Sequence, residues 1–358
     1  MKRHLLIALL CAITGNLSAQ EVEYDIYLGQ TTKGVYNGFG ILDYTDGSWY
    51  QGQFKAGKPD GVGTYTDKNG VQKSGVFSAG KWMKTYAWEE DWNQIDLSYY
   101  LPDTALDVKT YSMDLELLDE VPANTSMSIA THAGGTINNI SFWGGLQTDW
   151  GGYPNTQGIG DENQYQEIER SFNFTRWDEA RTEALQLASK GFCFVDDSDE
   201  SNIGVSNKFY WKKGEYTITL FASDVKVTLD GKVHTFVGMK ILEKSTGKIT
   251  DVGMLAFPGE KLRFGAQMNM FVQVYNEKGT LEQTPKLRMN FTNFKLNDQL
   301  IEPLDVQTYF PYNMPHWAEA TLLEKGFRIE IGKPCKRHVV TFDTEQLICT
   351  PDYWVEEN

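Results

Sequence analysis

Cysteine, histidine and proline are scarce in this chain of 358 residues, with four, five and eleven copies. No cysteine set has the spacing of a structural zinc module, and four are too few for a disulfide-dense miniprotein. His132, His234, His316 and His338 stand singly, and no H-E-x-x-H, G-x-S-x-G or Walker loop occurs. Those absences remove the best-marked classes of zinc protease, serine hydrolase and nucleotide-binding enzyme. Long apolar runs are also missing. The longest candidate, Leu5 to Ile13, falls short of the roughly 20 residues a membrane-spanning helix needs. Basic residues are outnumbered, 33 against 48 acids, for a formal net charge of −15. A surface of that sign repels phosphate backbones and anionic lipid, which argues against nucleic acid as a partner. Strongly periodic helical segments are few.

The N-terminus carries an address. Lys2 and Arg3 precede the apolar run, and Leu17-Ser18-Ala19 supplies small residues before Gln20. This is the pattern of a bacterial export signal cleaved after residue 19, giving a mature protein that starts at Gln20 and is secreted, periplasmic or on the cell surface. Cys11 follows Leu9 and Leu10 inside the run, so it does not mark a lipoprotein. In an oxidising compartment Cys335 and Cys349, which flank an expected hairpin, either pair or remain two buried thiols. Cys193, between Phe192 and Phe194, reads as a core thiol.

Aromatic residues make up 13% of the chain, and 33 glycines accompany them. Together they lean to an all-β fold. A 23-residue shift maps Gly38, Gly40, Gly47, Gly52, Phe54 and Gly57 onto Gly61, Gly63, Gly70, Gly75, Phe77 and Gly80. One unit reads Tyr50-x-Gly52-x-Phe54-x-x-Gly57-x-x-x-Gly61-x-Gly63-x-Tyr65. Asp46-Gly47 and Asn69-Gly70 mark hairpin turns, and large rings alternate with the flat space glycine leaves. The stretch 34–82 resembles the MORN repeat. The resemblance implies a hairpin meander and, from arrays elsewhere, protein or lipid contacts. So short an array serves either as a structural cap or as a protein-contact module.

Residues 86–110 change character: Trp88, Trp92, Tyr99 and Tyr100 alternate with acids before Leu101-Pro102-Asp103. They read as a linker or interface segment between the repeat region, 20–85, and a main domain over 111–302. In that domain, strand patterns recur at Ser126–Ala130, Asn139–Trp143, Tyr216–Leu220, Lys226–Leu229, Val233–Leu242, Met270–Tyr275 and Lys286–Phe294. Many short strands with glycine-rich turns imply a β-sandwich or jelly roll. Trp177 to Lys190 suits a helix by its alanines and leucines, yet part of it alternates. Residues 303–358 read as a C-terminal extension completing the β domain, with a loop through Tyr309-Phe310-Pro311-Tyr312 and closing strands from Gly326 to Cys349.

The order Phe142-Trp143-Gly144-Gly145-Leu146-Gln147, Ser171-Phe172 with Trp177-Asp178, then Phe209-Tyr210-Trp211-Lys212-x-Gly214-x-Tyr216 resembles the uncharacterised bacterial DUF3472 family over about 110–295. The resemblance implies strand for Glu183 to Phe194. The chain departs from the family where a Gly-Glu-Gly stretch is usual, reading Asp196 to Gly204 instead. The family carries no activity to transfer.

Three candidate sites follow from residue type. The loop from Trp143 through Gln147, Trp150-Gly151-Gly152 and Tyr153, with Trp177 and Asp178 nearby, places flat rings beside polar groups, which suits a sugar face; the alternative is that these rings fill the core. The acidic run Asp196, Asp197, Asp199 and Glu200 offers hard oxygen ligands for calcium, or is a solvated turn. Glu162, Glu167 and Glu169 are available as a glycosidase pair, which requires two facing carboxylates. The expectation is an exported, non-catalytic binding or surface-assembly protein that contacts glycan or another surface protein. A carbohydrate-active enzyme, glycosidase- or lyase-like, and a purely structural protein are the alternatives.

Overall fold

The 23-residue period becomes a hairpin period in the computed structural model. Described are residues 25–86, 92–102, 108–122, 126–130, 135–275, 280–310, 317–336 and 344–346. The export signal, Trp88, His132, residues 311–316, His338 and Cys349 lie outside the described residues. Six strands pair in chain order, all antiparallel: β1 (Ile26–Thr32), β2 (Val35–Asp43), β3 (Trp49–Lys55), β4 (Lys58–Thr66), β5 (Gln72–Ser78) and β6 (Lys81–Lys84).

The repeat residues explain why. Gly52 and Gly75 both hold φ +151, and a Cβ on Gly52 would lie 2.4 Å from Gly63 Cα. Only bare backbone fits there, and the flat space beside it takes a ring. Tyr50 lies over Gly63 and its hydroxyl donates to Gln53 O at 3.1 Å. One period earlier, Tyr27 lies over Gly40 and donates to Gln30 O at 2.7 Å. The side-chain oxygens of Gln30 and Gln53 accept from the Phe39 and Val62 amides in turn. Tyr27, Tyr36, Tyr50, Phe54 and Phe77 interlock on this face.

The other face of the meander docks on the rest of the chain. Gln51, Thr64 and Ser74 are buried there, and Gln51 Nε2 donates to Cys335 O at 2.9 Å. Val62 packs against Tyr86, Leu281 and Trp317. The Lys336 ammonium lies 5.4 Å from the Trp49 ring centroid and pairs with Asp43.

Beyond the meander, two antiparallel sheets stack face to face as a sandwich. The ten-stranded sheet runs β14 (Phe192–Asp196), β15 (Asn202–Lys208), β12 (Gln166–Trp177), β11 (Ile140–Gly152), β9 (Ser126–Ala130), β19 (Gln267–Tyr275), β7 (Trp92–Tyr100), β22 (Leu304–Tyr309), β25 (Thr344–Gln346), with β10 (Gly135–Ile137) on β11. The nine-stranded sheet runs β13 (Leu185–Leu187), β18 (Lys248–Pro258), β17 (Lys232–Glu243), β16 (Gly214–Leu229), β8 (Thr110–Leu117), β20 (Leu287–Leu296), β24 (Gly326–Ile331), β23 (Ala318–Leu323), with β21 (Gln299–Leu300) on β20.

Alternation sets the core. In β8, Tyr111, Met113, Leu115 and Leu117 point inward while Ser112, Asp114 and Glu116 face out. Leu146, Phe172, Phe174 and Met239 meet from both sheets, and each buried ring or aliphatic chain contributes roughly 1.5–3 kcal/mol by leaving water. The Tyr99 and Tyr111 hydroxyls, 2.6 Å apart, satisfy one another across the interior.

One expectation changes. The segment read as a linker, 86–110, supplies β7, paired between β19 and β22. Its acids misled: Asp96 sits in an outward slot while Ile95, Leu97 and Tyr99 are fully buried. The stretch Trp177 to Lys190, open between helix and strand by its residues, makes a 3-10 turn at Thr182–Ala184 and then β13, and Gly191 separates it from β14 on the opposite sheet. The C-terminal extension adds strands to both sheets.

Candidate functional site

The outward face of the ten-stranded sheet is built by register. Trp143 pairs with Thr175, Gly145 with Asn173 and Gln147 with Ser171, while Phe142, Leu146, Phe172 and Phe174 take the inward slots. β15 extends the same face with Ser206 opposite Asn173 and Gly204 opposite Thr175. At Asp149 the backbone turns to φ +49, which breaks strict alternation and brings the Trp150 ring back over this face.

Four half-buried rings then form a row across the strands. Phe271 and Trp143 lie 6.4 Å apart between centroids, Trp143 and Trp150 6.4 Å at 88°, and Trp150 and Phe194 5.3 Å at 75°. Phe194 rests on Gly204, where an added Cβ would meet its ring at 2.0 Å. Beneath the rings is a polar floor. Trp150 Nε1 donates to Ser206 Oγ at 3.1 Å, and Asn173 Nδ2 donates to Gln147 Oε1 at 2.9 Å. Two acceptors in this floor, Asn173 Oδ1 and Thr175 Oγ1, have no hydrogen-bond partner, although their residues are 0% and 2% exposed. Leaving each unpaired costs roughly 1–3 kcal/mol.

Beside Trp150 the face opens into a groove of about 600 Å³ lined by Asp149, Trp150, Tyr165, Glu167, Ile168 and Glu169. Tyr165 lies over Gly151 and meets Tyr153 edge-on at 5.4 Å. Partial burial, then the neighbouring Tyr153 and Glu167, push the Tyr165 hydroxyl up, so it stays a neutral donor. Trp150 and Tyr165 flank a space supplied with carboxylate acceptors. Glu167 and Glu169 are exposed, and nothing buries one of them as a glycosidase acid requires. Glu162 lies in the preceding turn and does not line the groove.

The remaining candidates fall elsewhere. Trp177, at the far end of β12, makes no ring contact with the row among the described residues. Asp178 is an exposed turn residue at φ +55. Its carbonyl accepts from Arg176, a buried cation whose other donors go to the Trp177 and Ala256 carbonyls; burial pushes its pKa down to about 10. Asp196, Asp197, Asp199 and Glu200 occupy an exposed turn. Asp196 there accepts from the Ser198 amide at 3.0 Å and Asn202 Nδ2 at 3.4 Å, which lowers its pKa. Among the described residues, no three His, Cys, Asp or Glu side chains are grouped to hold a metal ion. The calcium reading therefore gains no geometry: the run points its acids into solvent. His234 is buried with Nδ1 3.1 Å from Lys232 O. Cys193 is a buried thiol, pushed up to about 11 by burial. The Cys335 thiol donates to Ala318 O at 2.6 Å.

The structure thus joins Trp143, Gln147 and Trp150 and adds Phe194, Phe271, Asn173, Thr175, Ser206 and Tyr165. The alternation of Ser171-Phe172-Asn173-Phe174-Thr175 was a usable signal for the floor; the contributions of β14 and β19 depend on strand order.

Two segments, residues 27–49 and 50–72, match the MORN repeat. The meander continues past them through β6 as a further, partial unit. No curated protein matches the chain. Among the described residues no helix is long and apolar enough to cross a membrane; strands are a separate matter.

Proposed function

We propose that this is an exported, non-catalytic saccharide-binding protein whose ligand lies on the outward face of the ten-stranded sheet. The observation that carries the reading is the row of four half-buried rings over a floor with two orphaned acceptors, next to an open groove flanked by Trp150 and Tyr165. Flat rings stack on sugar C–H faces, and buried acceptors without donors are the complement of sugar hydroxyls. The orphans lie under the rings, so a sugar hydroxyl reaches them only where one ring gives way while its neighbours keep the stacking face. Export rests on the charged start, apolar run and small-residue exit at residues 1–19. The MORN-matching meander is a cap: its smaller-residue face is already spent on Cys335, Leu281 and Trp317. The order of motifs over about 110–295 supports placing the sandwich with the DUF3472 family.

A glycan array probed with the protein from Gln20, with and without calcium, tests this. Retention of a glycan, lost in Trp150→Ala and indifferent to calcium, is the expected outcome. Failure to retain any glycan at high protein concentration sinks the reading and leaves a structural protein.

A further inference from the structure

Three positive charges of this acidic chain line one groove of the sandwich. Where the β14–β15 edge meets β13 and β18, a groove of about 510 Å³ is lined by Lys190, Lys208 and Lys248, with Phe192, Ile249 and Asp251. All three lysines are exposed, and none has an ion-pair partner among the described residues. Their roots are fixed. Lys190 sits at φ +61 in a turn closed by the Gly191 amide donating to Ala188 O. The Lys208 ammonium is held 5.5 Å from the Phe192 ring centroid. Asn207 Nδ2 donates to Ser189 O at 3.3 Å and to Asp251 O at 3.0 Å, tying the Lys190 turn to the strand that carries Lys248.

Three like charges facing one groove repel, and one carboxylate, Asp251, offsets them only in part. On a chain of net charge −15 this is a local reversal of sign, which attracts anions and falls off within about 8–10 Å in salt. Lysine ammoniums are compact point charges with three donors each, matched to sulfate or carboxylate oxygens. Ile249, 53% exposed, adds an apolar edge for the stem that bears the charge. We infer that this groove is an oxyanion site for an organic sulfate or carboxylate. It is separate from the aromatic row and stands whether or not that face binds sugar.

The test is binding at low salt to immobilised dextran sulfate and polygalacturonate, with unmodified dextran as the uncharged reference. Either charged polymer should be retained beyond any level seen for dextran; which of the two binds more tightly separates sulfate from carboxylate. Each of Lys190→Ala, Lys208→Ala and Lys248→Ala should weaken binding by roughly two- to fivefold, and the triple variant by roughly tenfold or more. Lys208→Met, which keeps the stem over Phe192, should lose as much as Lys208→Ala with an unchanged melting curve. Lys55→Ala and Lys58→Ala, exposed on the meander, should bind like the parent. Loss of binding in the meander controls equal to that in the groove variants would mean diffuse electrostatics and overturn the site. So would full retention by the triple variant, or no binding of either polymer.

Discussion

The meander and the outward face of the ten-stranded sheet are both aromatic, yet their rings do different work. In the meander Tyr27 and Tyr50 fill the space over Gly40 and Gly63, and their hydroxyls find carbonyls. No buried side-chain polar atom there lacks a partner among the described residues. On the sandwich, Trp143 and Trp150 cover a floor that keeps two acceptors unpaired. The outward face of the nine-stranded sheet gives a third reference. Asp114 accepts from Thr217 and Asn293 and pairs with Lys244 at 2.8 Å, while Asn290 links Glu116 to Arg328. Two of these surfaces close their hydrogen-bond accounts. The face that does not is the one proposed to bind a ligand.

The largest effect that would sharpen the contrast is Tyr50→Ala. It removes a fully buried ring packed between Phe54 and Phe77, and should destabilise the meander by about 3–5 kcal/mol in a thermal melt while leaving any glycan affinity intact. Trp143→Ala combined with Trp150→Ala should do the reverse, weakening the glycan found on the array by roughly a hundredfold with a modest shift in melting. If that pair instead unfolds the sandwich, the rings are core and the contrast breaks. Thr175→Val removes an orphaned hydroxyl at near-constant volume. Stability should be unchanged or rise by about 1 kcal/mol while glycan affinity falls; a fall in stability would show that the hydroxyl is satisfied after all.

The smallest effect belongs to the nine-stranded sheet. Burial pushes the Asp114 carboxyl up, but hydrogen bonds from Lys244, Thr217 and Asn293 outweigh it and hold the group below its ordinary value. A depressed folded pKa gives stability that is full above the unfolded value near pH 4 and disappears as pH falls through the folded one. Asp114→Asn should therefore cost about 1 kcal/mol at pH 7, with the gap to the parent closing in acid. A constant gap down to pH 2 would assign the loss to packing.

Much of this architecture was legible beforehand because it is local. The 23-residue glycine period and the alternation over Tyr216–Leu220, Lys226–Leu229 and Val233–Leu242, which become β16 and β17, are written within single elements. What was missed is non-local or sits where charge disguises a pattern. Strand β7 alternates like any core strand, but Asp96 and the flanking acids made it read as a link. Trp143 and Trp150 drew attention as loop rings, whereas both lie in one strand and meet only because Asp149 turns the backbone. Phe194 and Phe271 join them through strand order, which adjacent residues do not encode. The acidic run was legible as composition, and its four residues lie together in an exposed turn.

The most direct measurement is isothermal titration of a glycan retained on the array into three proteins: the parent, the Trp143→Ala/Trp150→Ala variant and Asp114→Asn. Binding heat from the parent and Asp114→Asn with none from the tryptophan variant, while its melt still shows a folded sandwich, is the expected result. Equal heat from all three would place the ligand elsewhere and contradict the assignment of this face.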